Sequence, residues 1–469
     1  MEVNKKKSFL DNFFKLTEHG TSVKTELLAG LTTFVTVAYI IFVNPSILRM
    51  AGINEQGLFG DAVVQAGLTV GNDKYVAALF AATCLAAAIG SILMGIFSNL
   101  PFVLAPGMGI NAFFTFGIVL TLGFTWQQAL ASVFISGIAF LIITMTPLLD
   151  IIVKALPQNL KLAITGGIGL FIALIGLKSG GIIVANPDTL VGFGDFRSAA
   201  VLLTIFGILL TATLMALNVK ASMLIAIVAT TLVGIPMGIT NTTDVSFISA
   251  PPSVSPLLFE MDFVGLVKSE AGVGAAVLSF VMVFITITLV VLFDTLGAML
   301  GTASKAGLVN EDGSVKNMKG AMLAMSLGTI AGAALGTSSL NCCVESTSGI
   351  SQGGRTGLTS VFAGLLFIAA LFFSGLVGIV PPQATAPALV IVGVLMLSAV
   401  SGIDFSDFTE SVPVFFTIAI MPFSYSIANG VAMGLILYPF MKLVSGRYKE
   451  VHPVVYVLAV AFILRFALL

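Results

Sequence analysis

Two acidic residues lie in stretches of the chain that are otherwise apolar or made of small residues. Asp294 ends the run Val-Phe-Ile-Thr-Ile-Thr-Leu-Val-Val-Leu-Phe-Asp, and Glu345 lies between Ser-Ser-Leu-Asn-Cys-Cys-Val and Ser-Thr-Ser-Gly. An ionised side chain at the centre of a bilayer costs about 3 kcal/mol on insertion scales, so such residues usually face a cavity or a transport pathway. The two carboxylates therefore predict a polar site inside a membrane.

The composition places the whole chain in the membrane class. Its 469 residues are 57% hydrophobic and 9% charged, with a mean hydropathy of +1.09, whereas a soluble domain carries about 25% charged residues. The net charge of −1 provides no basic surface for nucleic acid. The three cysteines show neither a disulfide framework nor a zinc spacing, and no cofactor is expected. No apolar core with a cleavage site follows the basic N-terminus, so no removable signal peptide is predicted.

Apolar segments near the length of a spanning helix, about 20 residues, recur along the chain. Seven candidates precede a more polar connection and seven follow it. A repeat unit with an odd number of spans reverses its orientation in the second copy, so the pattern predicts an all-α polytopic membrane protein with about 14 segments in a 7+7 inverted repeat. Lys and Arg in alternate loops place the N-terminus in the cytoplasm. The last apolar run, 453–468, is either a fifteenth segment or a peripheral helix.

The third segment of each half is interrupted. In the first half Pro106, Gly107 and Gly109 break the apolar run just before Asn111. In the second half the segment at 338–354 is short, polar and rich in small residues. Short interrupted segments at corresponding places in two halves are the best sequence indication of a transporter's binding site. Irregular backbone at this depth is tolerated only inside protein or beside a water-filled cavity.

Each acid also has a structural interpretation. No Lys or Arg occurs in the twenty residues before Asp294, which favours a transport role over a structural ion pair. Glu345 is expected at the N-terminus of a half-helix that begins near Ser346, where the hydroxyls of Ser346, Thr347 and Ser348 are available as caps. The alternative for Glu345 is a capping acid without a transport role.

Other polar and small residues suit either a site or packing. Asn111 offers donors and an acceptor to a polar ligand, or bonds a neighbouring helix, and Gly109 allows close approach to its backbone amide. Three residues of the first segment either line a pathway or bond their own backbone: Thr33, Thr36 and Tyr39. Three glycines spaced four apart predict a face for close helix packing: Gly328, Gly332 and Gly336.

Four stretches together resemble an AzgA-like purine (guanine/hypoxanthine) permease of the nucleobase–ascorbate transporter superfamily. They are Leu-Thr-Thr-Phe-Val-Thr-Val-Ala-Tyr-Ile-Ile-Phe-Val-Asn-Pro at 31–45, Ala-Pro-Gly-Met-Gly-Ile-Asn-Ala-Phe-Phe at 105–114, Phe-Asp-Thr-Leu-Gly at 293–297, and Val-Glu-Ser with Gly-Gly-Arg-Thr-Gly-Leu-Thr within 344–359. The similarity spans the chain. The combination is specific, although no single stretch would be.

The resemblance implies short strands in segments 3 and 10 that meet at mid-membrane beside the substrate. The family's substrate-site acids fall on Asp294 and Glu345, which are also the implied proton-coupling residues. The predicted substrate-binding residues are Asp294, Glu345, Asn111, Gly109, Val344 and Ser346.

The resemblance also implies a core domain, made of segments 1–4 and 8–11, and a gate domain made of the others. The predicted boundaries are 1–26 for the cytoplasmic N-terminus, 27–148 for the first half of the core, 149–239 for the first half of the gate, 240–271 for the connecting loop, 272–380 for the second half of the core, 381–446 for the second half of the gate, and 447–469 for the C-terminal apolar segment.

The predicted function is the import of a purine base (guanine, hypoxanthine or adenine) by proton symport through the cell membrane. The expected partners are the purine, a proton and the lipid bilayer, with a homodimer as one candidate assembly. The stretch Leu340-Asn341-Cys342-Cys343 departs from the Thr/Ser-rich strand of the family, which leaves the substrate open. The alternatives are a transporter of another small polar or anionic solute, an intramembrane enzyme such as a diaspartyl protease, and a non-transporting receptor or scaffold. Two acids would repel an anion.

Overall fold

A computed structural model describes residues 9–146, 157–242, 247–267 and 315–468. Between 268 and 314 it describes residues 274, 280–281, 283–288, 290–291, 295, 298–299, 302–303 and 307–309. All of these residues except 307–309 are helical.

The described part of the chain is mainly helical. Its helices are α1 (Phe9–Phe14), α2 (Val23–Val37), α3 (Ile40–Leu48), α4 (Asp61–Gln65), α5 (Lys74–Ser98), α6 (Met108–Ala112), α7 (Trp126–Met145), α8 (Gln158–Ser179), α9 (Ala199–Ala216), α10 (Ser222–Gly234), α11 (Met318–Leu335), α12 (Ser346–Ser351), α13 (Gly357–Ala370), α14 (Ser374–Gly378), α15 (Pro382–Leu397), α16 (Phe408–Phe423), α17 (Ile427–Val444) and α18 (Pro453–Leu468). A π-helical stretch, Phe113–Thr121, continues α6. The strands are β1 (Leu104–Pro106), β2 (Ile183–Asn186), β3 (Leu190–Phe193) and β4 (Leu340–Cys342).

The lengths and apolar character of these helices fit a membrane. Within the described residues nine helical stretches are long and apolar enough to span one, and four shorter helices are also apolar. The longest regular helix, α5, has 25 residues, and at 1.5 Å per residue it exceeds the roughly 30 Å of a hydrocarbon core. The predicted polytopic helical class is confirmed. The 7+7 count stays a prediction, because the region of the eighth segment is described only in part.

The first segment begins earlier than residue 27, the predicted start of the core. Helix α2 starts at Val23, where the Ser22 hydroxyl accepts the Thr25 N–H at 3.2 Å. Glu26 therefore lies in the first turn of the helix, and it is fully buried. Apolar composition does not predict this start, because the polar residues of the first turn are stabilised by specific hydrogen bonds rather than by lipid.

One group of helices packs around α5. Helices α11 and α13 cross it through glycine contacts in which backbone meets backbone. A Cβ added at Gly328 would lie 3.2 Å from the Gly90 Cα, and one added at Gly357 would lie 2.1 Å from the Gly95 carbonyl oxygen. The predicted close packing is confirmed at Gly328, whereas Gly336 ends α11 with a left-handed φ of +95°.

A second group forms around α8 and α15. These helices cross where Gly169 meets Gly393, since a Cβ added at Gly169 would lie 2.7 Å from the Gly393 carbonyl oxygen. Helices α9 and α10 pack on α15, and α16 and α17 pack on α8. These are the segments that the resemblance assigns to the gate, and the division into core and gate stays a prediction.

A charged cluster joins the ends of α16 and α17. The buried Lys442 Nζ lies 3.0 Å from Glu410 Oε1 and 3.0 Å from Glu450 Oε2. Arg447 pairs with Glu450 at 2.7 Å and with Asp407 at 2.5 Å. Hydrogen bonds from Arg447 and Lys442 lower the pKa of Glu450. Acidic residues at the start of α16 and basic residues at the end of α17 thus meet, so these two helix ends lie next to each other.

Candidate functional site

Two interrupted helical segments meet through their extended parts. Strands β1 and β4 pair antiparallel, and both are fully buried. The pairing continues beyond the strands, because the Gly107 N–H donates to the Ser339 carbonyl at 3.1 Å and the Cys343 N–H donates to the Val103 carbonyl at 3.0 Å. The strands predicted for segments 3 and 10 are confirmed. The register pairs Leu104 with Cys342, Ala105 with Asn341, and Pro106 with Leu340.

Hydroxyl groups of adjacent helices bond the outer edges of this ladder. The Ser91 hydroxyl of α5 accepts the Leu104 N–H at 3.1 Å and donates to the Leu104 carbonyl at 3.0 Å. The Thr329 hydroxyl of α11 accepts the Leu340 N–H at 3.2 Å. Such bonds are required because lipid supplies no partner for an open sheet edge. The two strands are therefore held rigidly by the helices around α5.

Glu345 directly precedes α12, and its carboxylate is bound by the first segment. Tyr39, at the break between α2 and α3, donates from Oη to Glu345 Oε1 at 2.9 Å. Glu345 has helical backbone angles, φ −58° and ψ −17°, and its side chain makes no capping bond. This geometry argues against the capping-acid interpretation, because the carboxylate is directed to another segment instead of to the helix end.

The surroundings of Glu345 are partly accessible. Val344 is 50% exposed, and Cys343 and Glu345 are partly exposed. Ser346, by contrast, is fully buried, and its hydroxyl accepts the Val103 N–H at 3.0 Å. Of the two residues that flank the acid, Val344 therefore faces open space, while Ser346 joins the two broken segments instead of offering a free capping hydroxyl.

The two residues predicted from the first broken segment are both buried. Asn111 Oδ1 accepts a hydrogen bond from the Ser338 hydroxyl, and Asn111 Nδ2 lies 3.9 Å from Met108 Sδ. A Cβ added at Gly109 would lie 2.8 Å from Ile168 Cγ2 of α8. In this conformation both residues hold α6 in place, which favours the structural interpretation of Asn111.

Asp294 lies outside the described residues. Its neighbour Thr295 is fully buried and donates to Asn341 Oδ1 at 2.9 Å. Asn341 Oδ1 also accepts the Cys342 N–H at 2.8 Å. The unexpected Asn in the strand thus connects β4 to the eighth segment, and this contact lies four residues before Glu345 in the chain.

Sequence reasoning did not connect Tyr39 with Glu345. Of the three residues weighed together in the first segment, Thr33 and Thr36 donate to the carbonyls four residues earlier, at 3.0 and 2.7 Å. Only Tyr39 bonds another segment. A lone phenol in an apolar segment was the available signal, since a buried Tyr hydroxyl usually finds a partner.

The chemistry of the site suits a polar organic ligand. Across the described ranges, no cluster of three or more His, Cys, Asp or Glu side chains could hold a metal ion. An ionised carboxylate accepts hydrogen bonds only, and a Tyr hydroxyl can donate or accept. Glu345 and Tyr39 can therefore bind a ligand that presents N–H donors.

The two helix groups contact each other near the C-terminal end of α8. Lys178 Nζ of α8 is 3.1 Å from Asp61 Oδ2 of α4 and 5.3 Å from the centre of the Tyr425 ring. The same ring packs edge-on against Phe116 and Phe171, with centroids 5.8 and 5.5 Å apart. Phe116 belongs to the third segment and Phe171 to α8.

Comparison with known proteins identifies the family. The sequence profile of the Permease family, Xan_ur_permease, matches residues 24–433. The chain belongs to this family. The adenine permease AdeP of Escherichia coli is 43% identical to this permease, over 97% of this chain and 95% of its own. The adenine permease AdeQ of Escherichia coli is 42% identical, over 99% and 98%. The guanine/hypoxanthine permease PbuG of Bacillus subtilis is 41% identical, over 98% and 100%.

These findings confirm the resemblance to permeases of the nucleobase–ascorbate transporter superfamily, so the enzyme alternative is set aside.

Solved structures agree on the fold. The transmembrane domain of the cyanobacterial bicarbonate transporter BicA matches this permease with a TM-score of 0.60, at 13% identity over 88% of this chain and 97% of that one. The murine anion transporter Slc26a9 in its inward-facing state matches with a TM-score of 0.58, at 12% identity over 95% and 73%. Both matches concern the fold alone.

Proposed function

We propose that this permease imports a purine nucleobase together with a proton across the cell membrane, with its N-terminus in the cytoplasm. The observation that carries the proposal is the carboxylate of the partly exposed residue Glu345, which Tyr39 holds beside the β1–β4 pair. The relatives named as adenine and guanine/hypoxanthine permeases support a purine as the substrate.

A purine edge complements this carboxylate. Adjacent N–H groups on the base can donate two parallel hydrogen bonds to the two oxygens, and such charge-assisted bonds are about twice as strong as neutral ones. Tyr39 already donates to one oxygen of Glu345. It therefore orients the carboxylate, while the half-exposed Val344 offers an apolar surface to the face of the base.

Proton coupling follows from the cost of an ionised acid in the membrane. Protonation of Glu345 or Asp294 removes a charge from the site before the site is exposed to the other side of the membrane. Two acids in one site titrate as a coupled pair. The role of Asp294 is supported by the family resemblance and by the bond from its neighbour Thr295 to β4. We propose that these two acids together bind the purine and carry the proton.

Access to the site would alternate by rocking of one helix group against the other. The pair Lys178–Asp61 and the aromatic contacts of Tyr425 join the two groups at one end. By the proposed topology this end is the extracellular one. The described conformation is then closed to the outside, and the purine would leave Glu345 toward the cytoplasm.

Uptake of radiolabelled guanine, hypoxanthine and adenine tests the proposal. In cells that express the permease and lack other purine carriers, we expect accumulation of at least one base above its external concentration. A proton uncoupler should remove that accumulation, because the driving gradient is lost. Indifference to all three bases would reject the purine, and accumulation that persists with the uncoupler would reject proton coupling.

Tyr39→Phe should raise the KM for the transported purine about tenfold, because a hydrogen bond to a charged group contributes about 1.5–3 kcal/mol and about 1.4 kcal/mol is tenfold in affinity. The turnover number and the melting temperature should change little, since the ring is retained. Tyr75→Phe, at the start of α5, is the matched control and should behave as wild type. An unchanged KM in Tyr39→Phe would show that the phenol does not orient Glu345.

A further inference from the structure

Glu26 is a fully buried carboxylate that the transport mechanism above does not use. Its Oε1 accepts the Arg355 N–H at 2.9 Å. Its Oε2 accepts the Thr359 hydroxyl at 2.6 Å and the Thr356 N–H at 3.3 Å. All these partners lie in the connection after α12 or in the first turn of α13. The carboxylate therefore joins the first turn of α2 to the segment that follows Glu345.

The same connection also holds the far end of α12. Arg355 Nη1 donates to the Ile350 carbonyl at 2.7 Å and to the Gly354 carbonyl at 2.8 Å. Ile350 lies in the last turn of α12, where a helix leaves carbonyl groups without an intrahelical partner. The guanidinium thus binds the end of α12, while the backbone of the same residue binds Glu26.

Between its two ends α12 lies directly against α2. A Cβ added at Gly349 would lie 2.6 Å from the Ala29 carbonyl oxygen and still closer to the Thr33 hydroxyl. One added at Gly354 would lie 2.8 Å from the Ala29 Cβ. The short helix therefore contacts the first segment along its length, with Tyr39 and Glu345 at one end and the Glu26 network at the other.

We propose that Glu26 is a positioning residue of the transport site, which sets the place of Glu345 relative to Tyr39 by holding the far end of α12. This inference rests on the proposed role of Glu345. Helix α12 has only six residues, and so short a helix has little stability of its own. Its orientation depends on what binds its ends, and a displacement at the Glu26 end moves Glu345 at the other.

A double-mutant cycle between Glu26 and Tyr39 tests the inference. Purified Glu26→Gln, Tyr39→Phe and the double variant are reconstituted in proteoliposomes, and KM and turnover number for the purine are measured. In Glu26→Gln the new amide N–H groups face the Thr356 N–H and the Thr359 hydroxyl, so the loop should shift. We expect the KM to rise about tenfold. In the Tyr39→Phe background, Glu26→Gln should raise the KM less than twofold, because the effects of substitutions at coupled residues do not add.

Two further variants separate positioning from general stability. Thr359→Val removes one of the three bonds to the carboxylate and should raise the KM about threefold even where Glu26→Gln accumulates poorly. Thr32→Val is the matched control on α2, since its exposed hydroxyl donates only to the Leu28 carbonyl at 2.8 Å, and it should behave as wild type. Additive effects of Glu26→Gln and Tyr39→Phe, or a lower melting temperature with unchanged KM in both Glu26→Gln and Thr359→Val, would overturn the inference.

Failure of the inference about Glu26 can be distinguished from failure of the proposed function. If Glu345→Gln stops transport while Glu26→Gln and Thr359→Val keep the wild-type KM, only the positioning role of Glu26 is lost. If Glu345→Gln transports as well as wild type, the role of Glu345 fails, and the inference about Glu26 is overturned with it.

Discussion

Glu345→Gln is expected to abolish purine uptake, lowering the rate at least about a hundredfold, while the protein still reaches the membrane at the wild-type level. The carboxamide keeps the shape of the side chain but loses its charge, one acceptor oxygen and the ability to take up and release a proton. Two charge-assisted hydrogen bonds to a purine, each about 1.5–3 kcal/mol, account for a loss of this size. Initial rates of radiolabelled purine uptake, normalised to protein in the membrane, measure it.

The matched control for this variant is Asp188→Asn, which makes the same chemical change in the exposed turn between β2 and β3. It should transport at the wild-type rate. Glu345→Gln with more than about a tenth of that rate would show that Glu345 contributes less than about 1.4 kcal/mol to transport, and would exclude it as the common site of purine and proton.

Gly357→Ala is expected to prevent stable folding of the permease. A Cβ at this position would lie 2.1 Å from the Gly95 carbonyl oxygen and 2.7 Å from the Gly95 Cα. These are backbone atoms of a crossing helix, so no side chain can turn away, and α5 and α13 must separate. Overpacking of this kind costs about 3 kcal/mol or more. Reduced accumulation in the membrane and a lower melting temperature of the purified protein are the expected readouts.

Gly71→Ala carries the same substitution at a position with ordinary contacts, where the nearest atom to an added Cβ is the Gly378 Cα at 3.7 Å. It should accumulate and melt as the wild type does. Equal stability of Gly357→Ala and Gly71→Ala would contradict the close crossing of α5 and α13.

The class of protein and the place of the site follow from local sequence features. Charge depletion and long apolar segments indicate the membrane. The breaks at Gly107 and around Glu345 identify the segments whose strands pair. Both signals are local, because a spanning helix and an interrupted helix each depend on residues close together in the chain. The family resemblance then separates a transporter from an enzyme.

The partners of the site residues could not be predicted in the same way. Tyr39 and Glu345 are 306 residues apart, and Glu26 and Arg355 are 329 apart. Such contacts depend on how helices cross, which hydropathy does not specify. Glu26 fell at the end of the predicted cytoplasmic N-terminus, since a charge beside an apolar run normally marks the membrane surface. It is buried because two backbone N–H groups and a hydroxyl bond it.

Asn111 illustrates a different difficulty. Its side chain could bind a ligand or a neighbouring segment, and the sequence analysis placed it among the substrate-binding residues. The choice depends on Ser338, 227 residues away, whose hydroxyl donates to Asn111 Oδ1 in this conformation. Polar residues in a membrane segment therefore indicate that a partner exists without identifying it.

Purine-driven proton flux in proteoliposomes tests the central role of Glu345 most directly. Purified wild-type protein is reconstituted with a pH-sensitive dye in the lumen, and the purine that gives uptake in cells is added outside. We predict luminal acidification on addition of the purine to the wild type, and none in Glu345→Gln of equal melting temperature. Acidification by Glu345→Gln at the wild-type rate would contradict the account.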